Sequence, residues 1–354
     1  MVEDIDNYNR VHEMMHTLVA VESRQNDAAE AFGIHWDMTD WDFNGAGNMT
    51  TLTYGGIKPG QYQTVLFKPL SGLLNQNKMI PLRYAPITIE LELVDDVTEP
   101  IIDHANYTGD TWTATDSSSS WQINNVQVKV DVCTLDNALD NSYAQHLLTG
   151  KSLPIPYNTF ISQLQTIAGQ DAPSINVSRA LTRLKSVFVT LIKDAVGQRA
   201  TRFHRKVWND FFSPMYDDND GEFFVHDSNG EFEFQIQIGS KLFPEYPIRS
   251  HAEAYYQLKK CLGVQSSAVH NFAITGKEYR SHKLILGTDC EKVLDAGYTG
   301  LNTRAGDLMT VKLKYNDKGV LSSGSYARLA DRIHIVLHSD QILEIKDSGA
   351  QVFD

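Results

Sequence analysis

The residues best spaced for chemistry stand near the start of the chain, in the run His12-Glu13-Met14-Met15-His16. Histidines four apart share one helix face, so their ring nitrogens can converge on zinc while the intervening glutamate acts as base toward metal-bound water. A zinc metallopeptidase needs a third ligand as well. Glu22 stands six residues after His16, but Val19 occupies the place where the extended motif has a chain-turning glycine, and a continuing helix swings Glu22 away. In a chain with twelve histidines, a five-residue pattern of this kind also arises by chance. The expectation is an amphipathic connecting helix whose methionines enter a core, with no catalytic residue, metal or cofactor.

Other constellations are weaker. No GxGxxG or GxxxxGK(S/T) phosphate loop occurs, and no GxSxG elbow. His334 and His338 fall in an alternating segment, where they share one side of a strand and are expected to face solvent or an interface. Asp289 and Glu291 flank Cys290 with no basic neighbour in the sequence, which leaves that thiol unactivated. The pairs Asp95-Asp96 and Asp217-Asp218 lie in polar loops without the spaced oxygen ligands of a calcium loop. Cys133, Cys261 and Cys290 are odd in number and lack CxxC spacing, so buried free thiols in a reducing compartment are expected rather than a zinc ribbon or a disulfide framework.

Acidic residues outnumber basic ones 44 to 31, and the net charge of -13 repels phosphate, so direct nucleic-acid binding is not expected. The local basic group Arg199, Arg202, Arg205 and Lys206 reads as a solvated loop. The opening residues MVEDIDNYNR have neither a basic start nor an apolar core, and no run approaches the roughly eighteen apolar residues that cross a bilayer. Neither membrane insertion nor secretion is expected, and the sequons at Asn48, Asn106 and Asn176 read as chance matches.

The elements that must position these residues are mostly strands. A chain of 354 residues, 42% hydrophobic, can bury a large core in two ordinary domains or one barrel-like domain. Apolar residues alternate with polar ones at Ile87, Ile89, Leu91 and Leu93, and again at Val126, Val128, Val130 and Val132. The same period appears at Phe232, Phe234, Ile236 and Ile238, at Met309, Val311, Leu313 and Tyr315, and at Ile333, Ile335 and Leu337. Each predicts a half-buried strand. Helical patterns are fewer, at 9–31, 71–79, 136–148 and 251–262. Polar loops are expected at 108–120 and 217–230. A boundary is expected between Gly150 and Pro154, where the prolines of SLPIPY forbid a helix to continue; it divides the chain into 1–150 and 151–354. Many strands with occasional helices predict a mainly β protein of Greek-key sandwich type rather than a parallel α/β fold.

Six segments, in order, give a more specific likeness. They are LFKPLSGLLNQNKMIPLRYAPITIELELV (66–94), LLTGKSLPIPYNTFISQLQTI (147–167), NVSRALTRLKSVFVTL (176–191), IGSKLFPEYPIRSHAEAYYQLKKCLG (238–263), GYTGLNTRAGDLMTVKLK (297–314) and ADRIHIVLHSDQILEIKDSGAQV (330–352). Together they resemble the double jelly-roll major capsid proteins of polinton-like viruses and virophages. The resemblance implies two side-by-side jelly-roll sandwiches with short connecting helices, and a non-enzymatic subunit forming homotrimers of pseudo-hexagonal outline in an icosahedral shell. It implies self-association, neighbouring capsomers, and penton and minor capsid proteins as partners. The protein is then expected in the virion, made in the host cytoplasm or nucleus. The region before Gly150 holds about three clear strands, so the first roll is expected to lack its N-terminal strands and to leave an edge and a core face open. The apolar rows are expected to fill the two sandwiches, and the loops at 108–120 and 217–230 to form outward towers. Tyr246, Arg249, Tyr255 and Tyr256 are expected at trimer contacts, from the general enrichment of aromatic and arginine residues at interfaces. A zinc peptidase through His12, Glu13 and His16 and a cellular jelly-roll ligand-binding module of lectin or cupin type stand as alternatives.

Overall fold

An alternating segment becomes a strand only where neighbouring strands complete its hydrogen bonds, and the two halves of this chain differ in that respect. The computed structural model describes residues 1–18, 43–44, 48–49, 60, 62, 64–93, 107–108, 111–112, 120–168, 170–192, 211–213, 231–262, 274, 276–281, 283–291, 300–304, 308–316 and 330–354. In chain order the first half has α1 (Tyr8–Leu18), β1 (Phe43–Asn44), β2 (Asn48–Met49), α2 (Gly72–Asn75), β3 (Tyr107–Thr108), β4 (Thr111–Trp112) and α3 (Asn137–Leu148). The second half begins with β5 (Leu153–Thr166), β6 (Ser174–Val177), β7 (Leu184–Ile192), β8 (Glu231–Ile238) and β9 (Lys241–Ile248). It continues with α4 (His251–Cys261), α5 (Gly276–Ser281), β10 (Ile285–Asp289), β11 (Met309–Asn316), β12 (Arg332–Lys346) and β13 (Gly349–Phe353). The protein is mainly β, with two antiparallel sheets and few, short helices.

The eight strands β5 to β12 pair in nested order, all antiparallel: β5 with β12, β6 with β11, β7 with β10 and β8 with β9. This is one long ribbon folded at the turn between β8 and β9. Rolling the ribbon places β12 against β7 and β11 against β8, which yields two sheets. The five-stranded sheet holds β10, β7, β12 and β5, with β13 added to the far half of β12; the four-stranded sheet runs β6-β11-β8-β9. Eight antiparallel strands wound in this way are a jelly roll.

Side-chain parity builds the core between the sheets. On β8, Phe232, Phe234, Ile236 and Ile238 are buried as their alternation predicts, and each contributes about 1.5–3 kcal/mol. They close on Val311 and Leu313 of the same sheet and on Val187, Val189, Leu191, Ile333, Ile335 and Leu337 of the opposite one. Gln163, on the Ile335 side of β5, reaches the other sheet, donating to the Asn176 carbonyl and accepting from the Ser178 amide. The edge strand β9 carries Pro244 and Pro247, which cannot donate to a further strand and so discourage edge-to-edge pairing.

Helices cover the outer face of the five-stranded sheet. Gly287 lies opposite Phe188, and a Cβ there would come within 3.0–3.1 Å of Leu258 and Cys261, so α4 sits almost on the backbone of β10. Val11, Met14 and Leu18 of α1 join the same core. The predicted helix over 9–31 is helical to Leu18, and 19–31 lies outside the described residues. The other helices start where their caps are encoded. Ser71, Asp136 and Ser250 accept from the amides of Leu74, Leu139 and Glu253, and Gly150, at φ +77, follows the end of α3.

The first half departs from expectation. Residues 87–93 and 126–132 join no sheet among the described residues, and their apolar rows do not fill a sandwich. Ile87 to Leu93 are 38–66% exposed, and Val126 to Val132 are 62–72% exposed. Alternation alone shows that a segment has one dry face; it does not supply the strands that cover that face. Of the two predicted loops, 108–120 contains part of the β3–β4 hairpin, and 217–230 lies outside the described residues.

Candidate functional site

On α1, helical spacing does bring His12 and His16 to one face. Their rings stack at 5.8 Å and 14°, and His12 also stacks on Tyr8 at 5.7 Å and meets Phe67 edge-on at 6.4 Å. Glu13 accepts a hydrogen bond from Thr17 at 3.4 Å. No group of three or more His, Cys, Asp or Glu residues able to hold a metal occurs among the described residues, and Glu22 lies outside them. What α1 supplies is packing: Met14 is fully buried, Met15 borders the core, and the Arg10 guanidinium lies 5.4 Å above the Phe211 ring.

The residues before α1 fasten two distant segments together. Glu3 accepts from the Gly72 amide at 3.0 Å and from Thr159 at 2.8 Å, and Ser71 also bonds to it. Tyr157 donates to the Val2 carbonyl at 3.0 Å and to Gln341 at 2.7 Å, while Tyr8 accepts from the Leu70 amide at 2.8 Å. This clasp was not visible in the sequence, because its partners are separated by 62 to 184 residues.

The histidines of β12 are placed otherwise than expected. His334 is fully buried and neither ring nitrogen has a hydrogen-bond partner among the described residues; burial, aided by the charge of Arg10, lowers its pKa to about 3. His338 stacks on Phe160 at 4.9 Å, its Nδ1 lies 3.3 Å from the Ser186 hydroxyl, and burial with nearby Lys185 lowers it to about 4. Neither forms a solvent-facing pair. The alternation reading assumed that the second face of β12 is wet, whereas Arg10 of α1 lies near His334 and Phe160 of β5 stacks on His338.

Cys290 does have a basic group nearby: Lys185 pairs with Glu291 at 3.4 Å and with Asp340 at 3.8 Å. The thiol is still not activated. Burial first, then Asp289 and Glu291, pushes its pKa up, and Cys261 is likewise raised by burial. Cys133 is exposed rather than buried. Of the sequons, Asn176 sits on β6, where its side chain accepts from Thr310 at 3.0 Å. The Arg199–Lys206 patch and the pairs Asp95-Asp96 and Asp217-Asp218 lie outside the described residues.

The four expected contact residues separate into two kinds. Tyr246 is 79% exposed and Tyr256 63% exposed. Arg249 has an exposed side chain that reaches Glu233 at 3.5 Å, and its amide donates to Glu253 at 2.7 Å, completing the cap of α4. Tyr255 is turned inward. It donates to the Ile274 carbonyl at 3.1 Å and meets the fully buried Tyr279 edge-on at 5.1 Å.

No known protein-family model matches the chain, and no curated protein sequence does. Among solved structures, 62% of the chain is similar to 55% of a chain in the crystal structure of PBCV-1 VP54 fitted into a cryo-EM reconstruction of the virophage Sputnik, at 11% identity and a TM-score of 0.37. A quasi-atomic model of the PBCV-1 virus capsid aligns over 60% of this chain and 54% of its own, at 11% identity and a TM-score of 0.31. The chain thus spans about half the length of the solved chains it matches.

Proposed function

We propose that the protein is the structural subunit of a viral capsid, a major capsid protein that associates with itself in the virion and performs no catalysis. The observation that carries this reading is the closed eight-strand roll from β5 to β12, which lies where five of the six capsid-like segments fall. An interior lined by the buried apolar side chains of Phe232, Phe234, Ile236, Val311 and Ile335 suits a packed building block better than a lectin- or cupin-like module, which needs placed polar groups.

In this proposal residues 1–150 belong to a first roll and 151–354 form the second. Three chains make a homotrimeric capsomer of pseudo-hexagonal outline, of the polinton-like virus and virophage type, which meets penton and minor capsid proteins in an icosahedral shell. Tyr246, Arg249 and Tyr256 offer exposed aromatic and arginine surface for the trimer contact, whereas Tyr255 supports it from within. Electron microscopy of the purified protein tests the reading: three-fold particles with a hexagonal rim are expected, and compact monomers at every concentration overturn it. Tyr246→Ala combined with Arg249→Ala is expected to weaken trimers at least tenfold; unchanged trimers move the contact elsewhere.

A further inference from the structure

Among the described residues, the two apolar rows of the first half stand exposed with no neighbour to cover them. Eight aliphatic side chains, Ile87, Ile89, Leu91, Leu93, Val126, Val128, Val130 and Val132, stand exposed at alternate positions in segments that join no sheet among the described residues. Rows of this kind mark a contact rather than a water-facing surface.

Strand β11 shows what such a segment does when it is flanked. Residues 87–93 read ITIELEL and residues 309–315 read MTVKLKY, so apolar, threonine and charged positions coincide one for one, with glutamates in place of lysines. On β11 Met309, Val311 and Leu313 are buried, and Lys314 lies opposite Glu233 on β8, 3.9 Å away. A partner for 87–93 therefore alternates apolar residues with a basic one opposite a glutamate. The roll's edge strands β6, β10 and β13 carry no basic residue, and the free edge of β9 is interrupted by Pro244 and Pro247. The remaining segment of that chemistry is 126–132, VQVKVDV, with Lys129 at its centre. Within one chain the two rows do not cover each other, since both stand exposed.

We infer that two copies of the chain cover each other's rows, residues 87–93 of one pairing antiparallel with residues 126–132 of the other. Glu90 lies opposite Lys129, Ile89 opposite Val130 and Leu91 opposite Val128. The exchange is reciprocal, so it forms two ribbons whose dry faces close on one another as a small two-layer sandwich. The inference stands apart from the capsid reading, because it rests on the exposed rows alone.

Two measurements on the full chain test it. In sedimentation equilibrium Glu90→Lys is expected to weaken self-association at least tenfold, and Glu90→Lys with Lys129→Glu to restore it. In a Cys133→Ser background, Leu91→Cys protein mixed with Val128→Cys protein is expected to give a covalent dimer in air, well above the yield of either protein alone. A double variant no better than the single one, or no cross-link above the controls, overturns the pairing. Association that persists unchanged in Glu90→Lys removes the row contact while leaving the capsid reading in place. Compact monomers of the wild-type chain overturn both.

Discussion

Gly72 and His334 show how strongly single positions of this protein are constrained by residues far away in sequence. A Cβ on Gly72 would land on the Asn158 carbonyl oxygen of β5, a backbone atom that cannot step aside. Gly72→Ala is expected to cost about 3 kcal/mol, through overpacking, and urea unfolding measures it. His334 is held neutral by its burial and by Arg10, with a folded pKa of about 3 against 6.5 when unfolded. Between those values the unfolded chain binds a proton that the folded chain refuses, so this contribution is intact above pH 6.5 and is lost as pH falls. The loss is about 2 kcal/mol by pH 5, and His338, lowered to about 4, adds in the same direction. Denaturant unfolding at pH 7 and pH 5 reads it. In His334→Leu the pH-dependent loss is expected to shrink by that amount, whatever the variant's absolute stability.

At the scale of elements, legibility followed coverage. β8 and β11 were readable because each has one dry and one wet face, and alternation encodes that arrangement. β12 was readable as a strand, but its outer face was not, since Arg10, the group that lies near His334, comes from α1 at residues 8–18. The helices over 136–148 and 251–262 were visible, and the structure adds that their caps are local: Ser250 with Glu253 opens α4, and Asp136 opens α3. The role of α1 was half visible. Its apolar stripe announced packing, while the strand it packs against lies more than three hundred residues later. Met14→Ala is expected to destabilise the roll of β5 to β12 by about 3 kcal/mol even though it lies outside that roll. A loss below about 0.5 kcal/mol in thermal or urea unfolding would show that α1 is a detachable appendage.

On the scale of the whole molecule, the chain divides into a roll that satisfies itself and a half whose apolar rows face outward. The roll of β5 to β12 could be anticipated as a sandwich, yet its nested pairing could not be deduced from periodicity, which is blind to which strand lies beside which. The first half shows the converse. Its rows at 87–93 and 126–132 carry the strand period as clearly as β11 does, but the sequence pattern holds no record of a missing neighbour. The candidate site fared in the same way: the His12–His16 spacing was evident, and so was its lack of a third ligand, whereas the Glu3 clasp was visible only once β5 and α2 met.

The pairing of β5 with β12 also sets a clock. Roughly 160 residues separate the end of one strand from the start of the other. At a synthesis rate of about 5–20 residues per second, β5 leaves the ribosome some ten to thirty seconds before its partner exists. Through that interval its hydrogen-bonding edge and apolar side chains must be shielded by something other than the finished fold, so the number of chains being made near one another affects how many reach it.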